Sequence, residues 1–471
     1  MFWVACGIIL ITGCGVKRPL PTGPVDAGTT VAAGDTFFTQ VKPDWPVGTT
    51  FNKPRDIYVN RDGYIFIADY DNSRITVFNK SGKYIESADD FGNKHFEDLT
   101  EIPSYLQPGD NVQPTGISMD ARMNIFIVDS TNTVYVWNQF LNNVGIDSVV
   151  SQYKLINVNN GTQRTVSAEE YWRTASPVDS IASATWTANP AVIDSVLKPR
   201  MFFTSSIPSM VSRGNYGAAP EQSRFNAVAA WQPNNPLSPE RVGSIYLTDA
   251  SYYQRIIRVD YRKYRQVKLS TGPTYWIYRG RYNSIVALNG SGEGFVQKPT
   301  GLFFNYYNQD PKIYFSQTGG GFGAHRISLT LLQEPDNNGF DLNDNSDIVE
   351  YKHFNNARDI SSDADGNIYV TNSGNKVVEE YNANGTFLRY LGTEEQRVTA
   401  TLTDTTINAP GDTTFATRDT VYTVQVPNVF QHPSAVAYGN GVVYVADDVA
   451  NKVYRFQLST DVDVNLGQQQ Q

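Results

Sequence analysis

Short strand-like runs of apolar residues, separated by polar turns, recur along this chain. In the stretch from Gly63 to Phe78, the aromatic and β-branched run Tyr64–Ile67 is followed by polar "DYDNS" and then by a second run, "RITVF". Aromatic and β-branched residues favour strands, and two such runs around a polar turn predict a β-hairpin. Because an isolated hairpin is only marginally stable in water, the pattern requires further strands that bury it.

The same pattern occurs in six stretches. They cover Pro54–Phe78, Pro114–Trp137, Gly243–Val259, Pro299–Leu329, Ala357–Tyr381 and Pro433–Phe456. Each predicts three strands joined by turns, and a fourth strand follows in several copies, as at Ser284–Gly290 and Phe387–Gly392. A four-stranded meander cannot bury both faces alone, whereas stacking such sheets around an axis does. The sequence therefore predicts an all-β fold, a six-bladed β-propeller.

The repeat resembles the NHL family of β-propellers. The shared features are a proline before the inner strand, an Asp-Gly turn, and an aromatic or aliphatic strand that ends in Ala-Asp. They are clearest in copies one, five and six and weakest in copy three, which lacks the proline. The resemblance implies an NHL-like propeller with long inserted loops at Leu141–Gln222, Leu331–Asn345 and Gly392–Gln425, the last of them hairpin-like.

The N-terminus resembles the signal peptide of bacterial lipoproteins. An apolar stretch, Phe2–Thr12, leads into "ITGC", which ends at Cys14. The resemblance implies that Cys14 is acylated and anchors an exported protein to a bacterial membrane, which we expect to be the outer membrane, on its periplasmic or surface face. No Lys or Arg precedes the apolar stretch, so an ordinary cleaved signal or a buried strand remains the alternative.

Four segments follow from these patterns. We expect a signal peptide at 1–13, a flexible tether at 14–34, the propeller at 35–458 and a polar tail at 459–471. Closure of the ring is predicted to pair Asp35–Val41, as an outer strand, with Lys452–Gln457 of copy six. The alternative is that Val462–Leu466 completes this blade.

The amino-acid composition limits the classes of partner that the chain is expected to bind. The chain has 38 Lys and Arg against 47 Asp and Glu, a net charge of −9. Nucleic acid is not expected as a partner, because phosphate backbones are bound by clustered basic residues. The partners expected instead are an envelope protein or glycan, and the membrane through the anchor at Cys14. The two cysteines, Cys6 and Cys14, leave the cleaved chain with one, so no intrachain disulfide is expected.

A polar residue ends the second strand of every copy. These residues are Asp69, Asp129, Asp249, Gln317, Asn372 and Asp447. A basic residue follows in five copies, at Arg74, Arg255, Arg326, Lys376 and Lys452, with Thr133 as the exception. Because the feature recurs in every blade, we interpret it as a turn device that accepts backbone N–H groups and pairs with the base, not as a catalytic ring.

The residues at the start of each inner strand are the candidate ligand-binding site. They are Arg55, Thr115, Thr300, Arg358 and His432, which a propeller places at the mouth of its central channel. The arginines are suited to a carboxylate or to sugar hydroxyls, and His432 to a role as base or ligand. The alternative, favoured by the sequence, is that Arg55 and Arg358 pair with Asp56 and Asp359 or with backbone and line an empty channel.

Enzyme signatures are lacking in the sequence, so no catalytic residue, metal or cofactor is expected. The four histidines are scattered, and "DLNDNSD" (Asp341–Asp347) lacks the glycine and distal glutamate of a calcium loop, which favours an acidic surface loop. The sequence thus favours a binding or scaffold module. The alternative is a propeller lyase or hydrolase that uses Arg55, Arg358 and His432 on a small substrate.

Overall fold

The computed structural model describes residues 38–85, 112–211, 213–231, 243–307, 310–330, 335–340, 346–409 and 412–458. The predicted signal peptide, tether and C-terminal tail lie outside these residues. Within the described ranges, no helix combines the length and the apolar character needed to cross a membrane.

The strands are numbered β1–β28 along the chain. Blade 1 contains β2 (Pro54–Val59), β3 (Ile65–Asp69) and β4 (Arg74–Phe78). Blade 2 contains β5 (Gly116–Met119), β6 (Asn124–Val128), β7 (Thr133–Asn138) and β11 (Arg200–Thr204). Blade 3 contains β12 (Phe225–Ala230), β13 (Ser244–Asp249), β14 (Arg255–Leu269) and β15 (Thr274–Ala287).

The second half of the ring is built in the same way. Blade 4 contains β16 (Pro299–Tyr307), β17 (Asp310–Gln317), β18 (Ala324–Leu329) and β19 (Pro335–Asn338). Blade 5 contains β20 (Ala357–Ser362), β21 (Ile368–Asn372), β22 (Val377–Tyr381) and β23 (Phe387–Leu391). Blade 6 contains β26 (Pro433–Gly439), β27 (Val442–Asp447), β28 (Lys452–Leu458) and β1 (Phe38–Trp45).

The remaining elements lie between the blades or are inserted in them. An insertion between β7 and β11 contains α1 (Gln139–Val144), β8 (Ile146–Asn157), β9 (Gln163–Ser167), α2 (Ala168–Thr174), β10 (Asp179–Thr187) and α3 (Pro190–Leu197). A short α4 (Arg213–Tyr216) precedes blade 3, and 3-10 turns lie at Pro220–Gln222, Asp347–Val349 and Ser373–Asn375. β24 (Thr393–Ala409) and β25 (Asp412–Pro427) form a two-stranded ribbon, as the sequence predicts.

The inner strands close a ring. β2, β5, β12, β16, β20 and β26 each contact the next in this order, and β26 contacts β2. Apolar side chains from neighbouring sheets fill the space between them, so that each blade buries its faces against the blades on either side. The predicted all-β fold, a six-bladed propeller, is confirmed.

The hairpin that opens the repeat owes its shape to local polar contacts. The side chain of Asn60 accepts hydrogen bonds from the N–H groups of Asp62 and Tyr64, at 3.0 and 2.8 Å. Gly63 in the same turn has φ 84°, which glycine adopts without a steric penalty. Asp120 and Asp363 accept from the corresponding N–H groups in blades 2 and 5. The polar residue that begins each such turn therefore organises it.

Blade 3 begins earlier than the repeat predicts. Copy three, Gly243–Val259, supplies the second strand and part of the third, while the inner strand is β12, Phe225–Ala230. The fourth strand, predicted at Ser284–Gly290, is the longer β15, Thr274–Ala287. Because "FNAVAA" lacks the proline that marks the other inner strands, the repeat pattern does not reveal it.

The first insertion is an ordered extension, which corrects the expectation of a loop. Within Leu141–Gln222, β8 pairs with β9 and β10, and also with the C-terminal end of β14. Blade 3 thereby becomes part of a seven-stranded sheet. The same range also supplies β11, the outer strand of blade 2.

The two ends of the propeller carry different additions. We call the end where the inner strands begin the mouth end and the opposite one the far end. Because successive strands in a blade are antiparallel, the third strand runs towards the far end and the outer strand returns. The insertion after β7 therefore lies at the far end, whereas the β24–β25 ribbon, which follows an outer strand, leaves from the mouth end.

The N-terminal strand closes the ring, as the sequence predicts. Phe38, Thr39, Gln40 and Val41 pair antiparallel with Leu458, Gln457, Phe456 and Arg455. Trp45 continues the strand and stacks on Phe78 of blade 1, with ring centroids 4.4 Å apart. The alternative strand at Val462–Leu466 lies outside the described residues.

Candidate functional site: the channel mouth

The polar residues that end the second strands are structural, as predicted. Asp69 accepts from the Asn52 N–H at 2.7 Å, and Asp447 accepts from the Gln431 N–H at 2.6 Å. The equivalent residues of blades 3, 4 and 5 accept from Arg224, Gln297 and Asn355. In five blades the polar residue at the end of the second strand is therefore hydrogen-bonded to the segment that leads into the inner strand.

The predicted pairing with a downstream base occurs in only some blades. Arg74 donates to Asp69 at 2.9 Å, and Arg255 donates to Asp249 at 3.3 Å. Lys452 instead approaches Asp44 at 3.8 Å. The backbone N–H groups are the more regular partners, because the backbone repeats from blade to blade while the side chains do not.

A β-bulge at the start of the inner strand directs one side chain in five of the six blades. The register with the second strand shifts between Pro54 and Asp56, and again between Pro299 and Gly301 and between Pro433 and Ala435. Blades 3 and 5 shift at the equivalent position. A bulge re-aims the residue it contains, and here the re-aimed residues meet at the channel mouth.

These side chains surround a cavity of about 180 Å³. It is lined by Arg55, Thr115, Ser130, Asn226, Thr300, Arg358 and Ser434. Four of the five predicted ligand-binding residues are therefore brought together. Asn226 and Ser434 complete the ring for blades 3 and 6, and Ser130 joins them from the turn after β6.

The two arginines are not paired with their neighbouring aspartates, which corrects the interpretation that the sequence favoured. In the described part of the chain, neither Arg55 nor Arg358 forms an ion pair with a carboxylate. Arg55 lies over the ring of Tyr70, 3.7 Å from its centroid. Its Nε is buried and has no acceptor within the described ranges. Burial lowers the pKa of Arg358, and the charge of Arg55 acts in the same direction, against Asp448 and Asp359.

Asp56 and Asp359 bind backbone of the next blade instead. Asp56 accepts from the Ile117 N–H at 2.6 Å, and Asp359 accepts from the Val436 N–H at 2.8 Å. Burial raises the pKa of Asp359 to about 7, and burial together with the charge of Asp359 raises that of Asp56. Both carboxylates are thus used by the scaffold, which leaves the arginines above them available to a ligand.

The hydroxyl groups of the ring are also largely engaged. Thr300 donates to the Ala357 carbonyl at 2.8 Å, and Ser434 donates to the Pro54 carbonyl at 2.7 Å. Thr115 approaches the Val128 carbonyl at 3.3 Å. Since these hydroxyl protons are committed to the protein, the donors left are the Asn226 amide and the two charged guanidinium groups, and the charge favours a carboxylate over a sugar.

His432 lies beside this ring but does not line the cavity. Its Nδ1 is 2.6 Å from Asp448 Oδ1, and its Nε2 is 3.4 Å from the Asn356 side chain. The residue equivalent to Arg55 in blade 6 is Ser434, two positions further on. His432 and Asp448 therefore form a pair at the edge of the mouth.

A second cavity, of about 320 Å³, occupies the far end of the channel. Its walls are mainly apolar residues of the inner strands, such as Val228, Leu302 and Phe304, and Arg61 lies at its rim. Across the described ranges, no three His, Cys, Asp or Glu side chains cluster as a metal site. Most of the Asp341–Asp347 loop lies outside those ranges; the side chain of Asp347 accepts from the Phe387 N–H at 2.7 Å.

A family model of the NHL repeat matches residues 51–78, which is blade 1 with the segment leading into it. This agrees with the resemblance seen in the repeat. No curated protein matches the chain by sequence.

Solved structures similar to this chain are propellers of low sequence identity. A protein of unknown function from Bacteroides thetaiotaomicron is 10% identical, covering 90% of this chain and 76% of that one, with a TM-score of 0.42. An inactive variant of virginiamycin B lyase from Staphylococcus aureus with quinupristin is 10% identical, over 90% and 99%, with a TM-score of 0.38. A gluconolactonase from Xanthomonas campestris is 9% identical, over 87% and 86%, with a TM-score of 0.38.

Proposed function

We propose that this propeller is a protein-binding module of the cell envelope that captures a carboxylate of its partner at the channel mouth. The observation that carries the proposal is the pair Arg55 and Arg358, two guanidinium groups beside one cavity that form no ion pair with a carboxylate of the described residues. Arginine binds carboxylates in a bidentate geometry. An acidic side chain or a chain terminus would supply the missing acceptors.

The surface around the mouth supports a protein partner. Among the described residues, six exposed large apolar side chains lie in turns and connections at the mouth end: Val47, Tyr252, Leu288, Phe295, Tyr351 and Val449. Aliphatic and aromatic side chains around a polar centre are typical of protein interfaces. A glycan partner, the other expectation, would need free hydroxyl donors and acceptors, which the ring largely uses internally.

The lipid anchor at Cys14 belongs to this proposal. An acylated Cys14 followed by a Pro-, Gly- and Thr-rich tether would hold the propeller at a membrane surface while leaving the mouth free to search for its partner. The Pro-, Gly- and Thr-rich composition of the tether supports this part of the proposal.

The enzyme alternative has weaker support. A lyase or hydrolase at this site would use Arg55 and Arg358 on a small substrate and need His432 at the cavity, where Ser434 stands instead. A metal-dependent enzyme should also be stabilised by a divalent cation, since binding to the folded state raises the melting temperature. Calcium titration followed by thermal unfolding tests this.

The binding proposal is tested with a minimal ligand. Succinate carries two carboxylates, and succinamide is its neutral analogue. We expect succinate, but not succinamide, to raise the melting temperature of the wild type and of Arg61→Gln, which removes a charge at the far end of the channel. Arg55→Gln and Arg358→Gln should lose the shift. An equal shift in all four proteins would contradict the site.

The partner class is tested with solubilised envelope fractions passed over the immobilised protein. We expect a protein retained by the wild type and Arg61→Gln but not by Arg358→Gln, and released by succinate. Retention of a carbohydrate that Arg358→Gln binds equally well would contradict the proposal.

A further inference from the structure

The β14–β15 hairpin is strongly basic in an acidic protein. From Arg255 to Ala287 it carries eight Arg and Lys residues and one acidic residue, Asp260, while the whole chain has a net charge of −9. Arg262 and Arg279 lie directly opposite each other in the strand pairing. Like charges in that position are destabilising, so the local sequence works against the hairpin's own stability.

Three arginines gather where this hairpin meets the far-end insertion. They are Arg200 at the start of β11, Arg265 in β14 and Arg279 in β15. Tyr264 joins two of them, since its ring centroid is 4.1 Å from the Arg279 guanidinium and 5.2 Å from that of Arg265. Burial lowers the pKa of Arg200 to about 10, and the charges of Arg279 and Arg265 act in the same direction.

The hydrogen-bonding capacity of these groups is largely unused. Arg200 donates to the Val196 carbonyl at 3.0 Å, Arg265 donates to the Tyr264 hydroxyl at 3.4 Å, and Arg279 donates to Glu169. The Nε of each arginine is buried and has no acceptor among the residues that the structure describes. A guanidinium has five N–H donors, and leaving buried donors unsatisfied costs free energy.

The charge of the cluster is only partly balanced within the described residues. Within the described residues, the ion pairs of these three arginines involve one carboxylate, Glu169, which is also paired with Arg173 at 3.1 Å. The Arg279 side chain is 16% exposed and that of Glu169 36% exposed, so an ion can reach the cluster from solvent. An acceptor-rich anion would satisfy both the charge and the free N–H groups.

We propose that Arg200, Arg265 and Arg279 form a binding site for a phosphate group. A phosphate presents several oxygens to converging guanidinium groups, where a carboxylate presents two. The group is carried either by a soluble phosphorylated molecule or by a lipid head group. The site lies at the far end of the propeller and is independent of the carboxylate site at the mouth.

Titration with inorganic phosphate, followed by thermal unfolding and calorimetry, tests the site. We expect the wild type and Lys268→Gln to be stabilised. Lys268 is an exposed residue of the same hairpin and approaches Asp147 at 3.6 Å. Lys268→Gln therefore removes one positive charge, as Arg265→Gln does, but leaves the three arginines in place. Arg265→Gln and Arg200→Gln should bind phosphate at least about tenfold more weakly, since each removes charge-assisted hydrogen bonds.

Arg265→Lys separates geometry from charge. Lysine keeps the positive charge but lacks the planar guanidinium group with its paired N–H donors. We therefore expect the phosphate affinity of Arg265→Lys to lie between the affinities of the wild type and Arg265→Gln. Without phosphate, Arg265→Gln should melt no lower than the wild type, because it relieves repulsion within the cluster. If phosphate raises the melting temperatures of Arg265→Gln and Lys268→Gln equally, the proposed site is wrong. It is also wrong if a variant of one of the three arginines melts lower without phosphate but is stabilised by phosphate as much as the wild type.

The source of the phosphate is separated by two further probes. Co-sedimentation with phosphatidylglycerol vesicles, with phosphatidylcholine vesicles as reference, reports on a lipid head group. Glycerol 3-phosphate reports on a soluble ligand. Arg265-dependent sedimentation assigns the lipid, and Arg265-dependent binding of glycerol 3-phosphate without sedimentation assigns the soluble ligand. Binding of neither, despite a phosphate shift, would overturn the assignment to a phosphorylated ligand.

Discussion

The carboxylate of Asp359 in blade 5 accepts a hydrogen bond from the backbone N–H of Val436 in blade 6, at 2.8 Å. Asp56 makes the same contact with Ile117, from blade 1 to blade 2, at 2.6 Å. In both cases the aspartate follows a mouth arginine in the sequence. The two adjacent residues thus have different roles, since the arginine faces the channel and the aspartate connects neighbouring blades.

Asp359 should make stability depend on pH. Burial raises its pKa from 3.8 to about 7 in the folded protein, so between these values the folded state binds more protons than the unfolded state. Because the folded state binds the extra proton, Asp359 contributes less to the free energy of unfolding as the pH rises through this window. Asp359→Asn should therefore flatten the decline in melting temperature from about pH 4 to about pH 7.

Thermal unfolding at several pH values checks this. The matched control is Asp365→Asn, an exposed residue in a turn of the same blade, which should keep the wild-type profile. An Asp359→Asn profile parallel to the wild type would show that Asp359 does not titrate in this range.

Asp69→Ala should destabilise the propeller strongly. Asp69 is fully buried and accepts from Asn52, Asn72 and Arg74. Removing the carboxylate leaves the Asn52 N–H without its acceptor, whereas Arg74 keeps its hydrogen bonds to Thr49 and Thr50. The loss costs about 1–3 kcal/mol. Asp71→Ala removes a surface pair with Lys53 and should cost at most about 1 kcal/mol. Chemical denaturation of both variants measures the difference, and similar losses would refute the structural role of Asp69.

His353 should stabilise blade 5 mainly at low pH. Its Nε2 lies 2.7 Å from buried Glu379, and this hydrogen bond, followed by the nearby carboxylate charges, raises the pKa of His353 against the effect of burial. A raised pKa gives stability that is fully present below the ordinary value near 6.5 and is lost as the pH rises through the folded value. His353→Gln should therefore lower the melting temperature more at about pH 6 than at about pH 9.

Glu350→Gln is the control for this contact. Glu350 approaches the other nitrogen of His353 at 3.2 Å but is largely exposed, so its loss should change the pH profile little. A His353→Gln deficit that is constant with pH would mean that packing, not charge, makes the contribution.

The repeat pattern predicts most of the fold because each blade uses the same local signals. The turn residues, the proline before the inner strand and the buried second strand all lie within one repeat. The inner strand of blade 3, Phe225–Ala230, is not predicted because it has no proline and follows a long insertion. That insertion itself pairs with β14, a contact between segments far apart in sequence that periodicity does not encode.

The channel mouth is predictable in position but not in pairing. Arg55, Thr115, Thr300 and Arg358 share one register of the repeat, and the structure brings them to one cavity. In blade 6 the sequence favours His432, because histidine is the more reactive residue, although Ser434 holds the equivalent register. Adjacency in the sequence predicts Arg–Asp pairing, whereas the bulge points the side chains of Arg55 and Asp56 to different neighbours.

Cys14→Ser tests the proposed lipid anchor. We expect the variant to leave the membrane fraction and to lose labelling with a radioactive fatty acid, because acylation at Cys14 is the anchor proposed. Cys6→Ser lies within the proposed signal peptide and should leave both properties unchanged. Membrane partition of Cys14→Ser equal to that of the wild type would exclude the anchor.

Ring closure gives the last prediction. β1 is the outer strand of blade 6, although it lies at the opposite end of the chain from β26–β28. A protein that begins at Pro43 loses Phe38–Val41 and with them the backbone pairing to Arg455–Leu458, which exposes the edge of β28. An open edge and an unsatisfied ladder should lower the melting temperature and broaden the transition.

A protein that begins at Asp35 keeps the whole strand and is the matched control, expected to melt like the longer chain. Trp45→Ala probes the same joint without truncation, since Trp45 is 1% exposed and stacks on Phe78; losing such a side chain costs about 3–5 kcal/mol. Calorimetry distinguishes the outcomes. If the protein beginning at Pro43 unfolds as cooperatively and at the same temperature as the control, the strand contributes nothing to closure, and the stability of the ring must come from the contact between β26 and β2 alone.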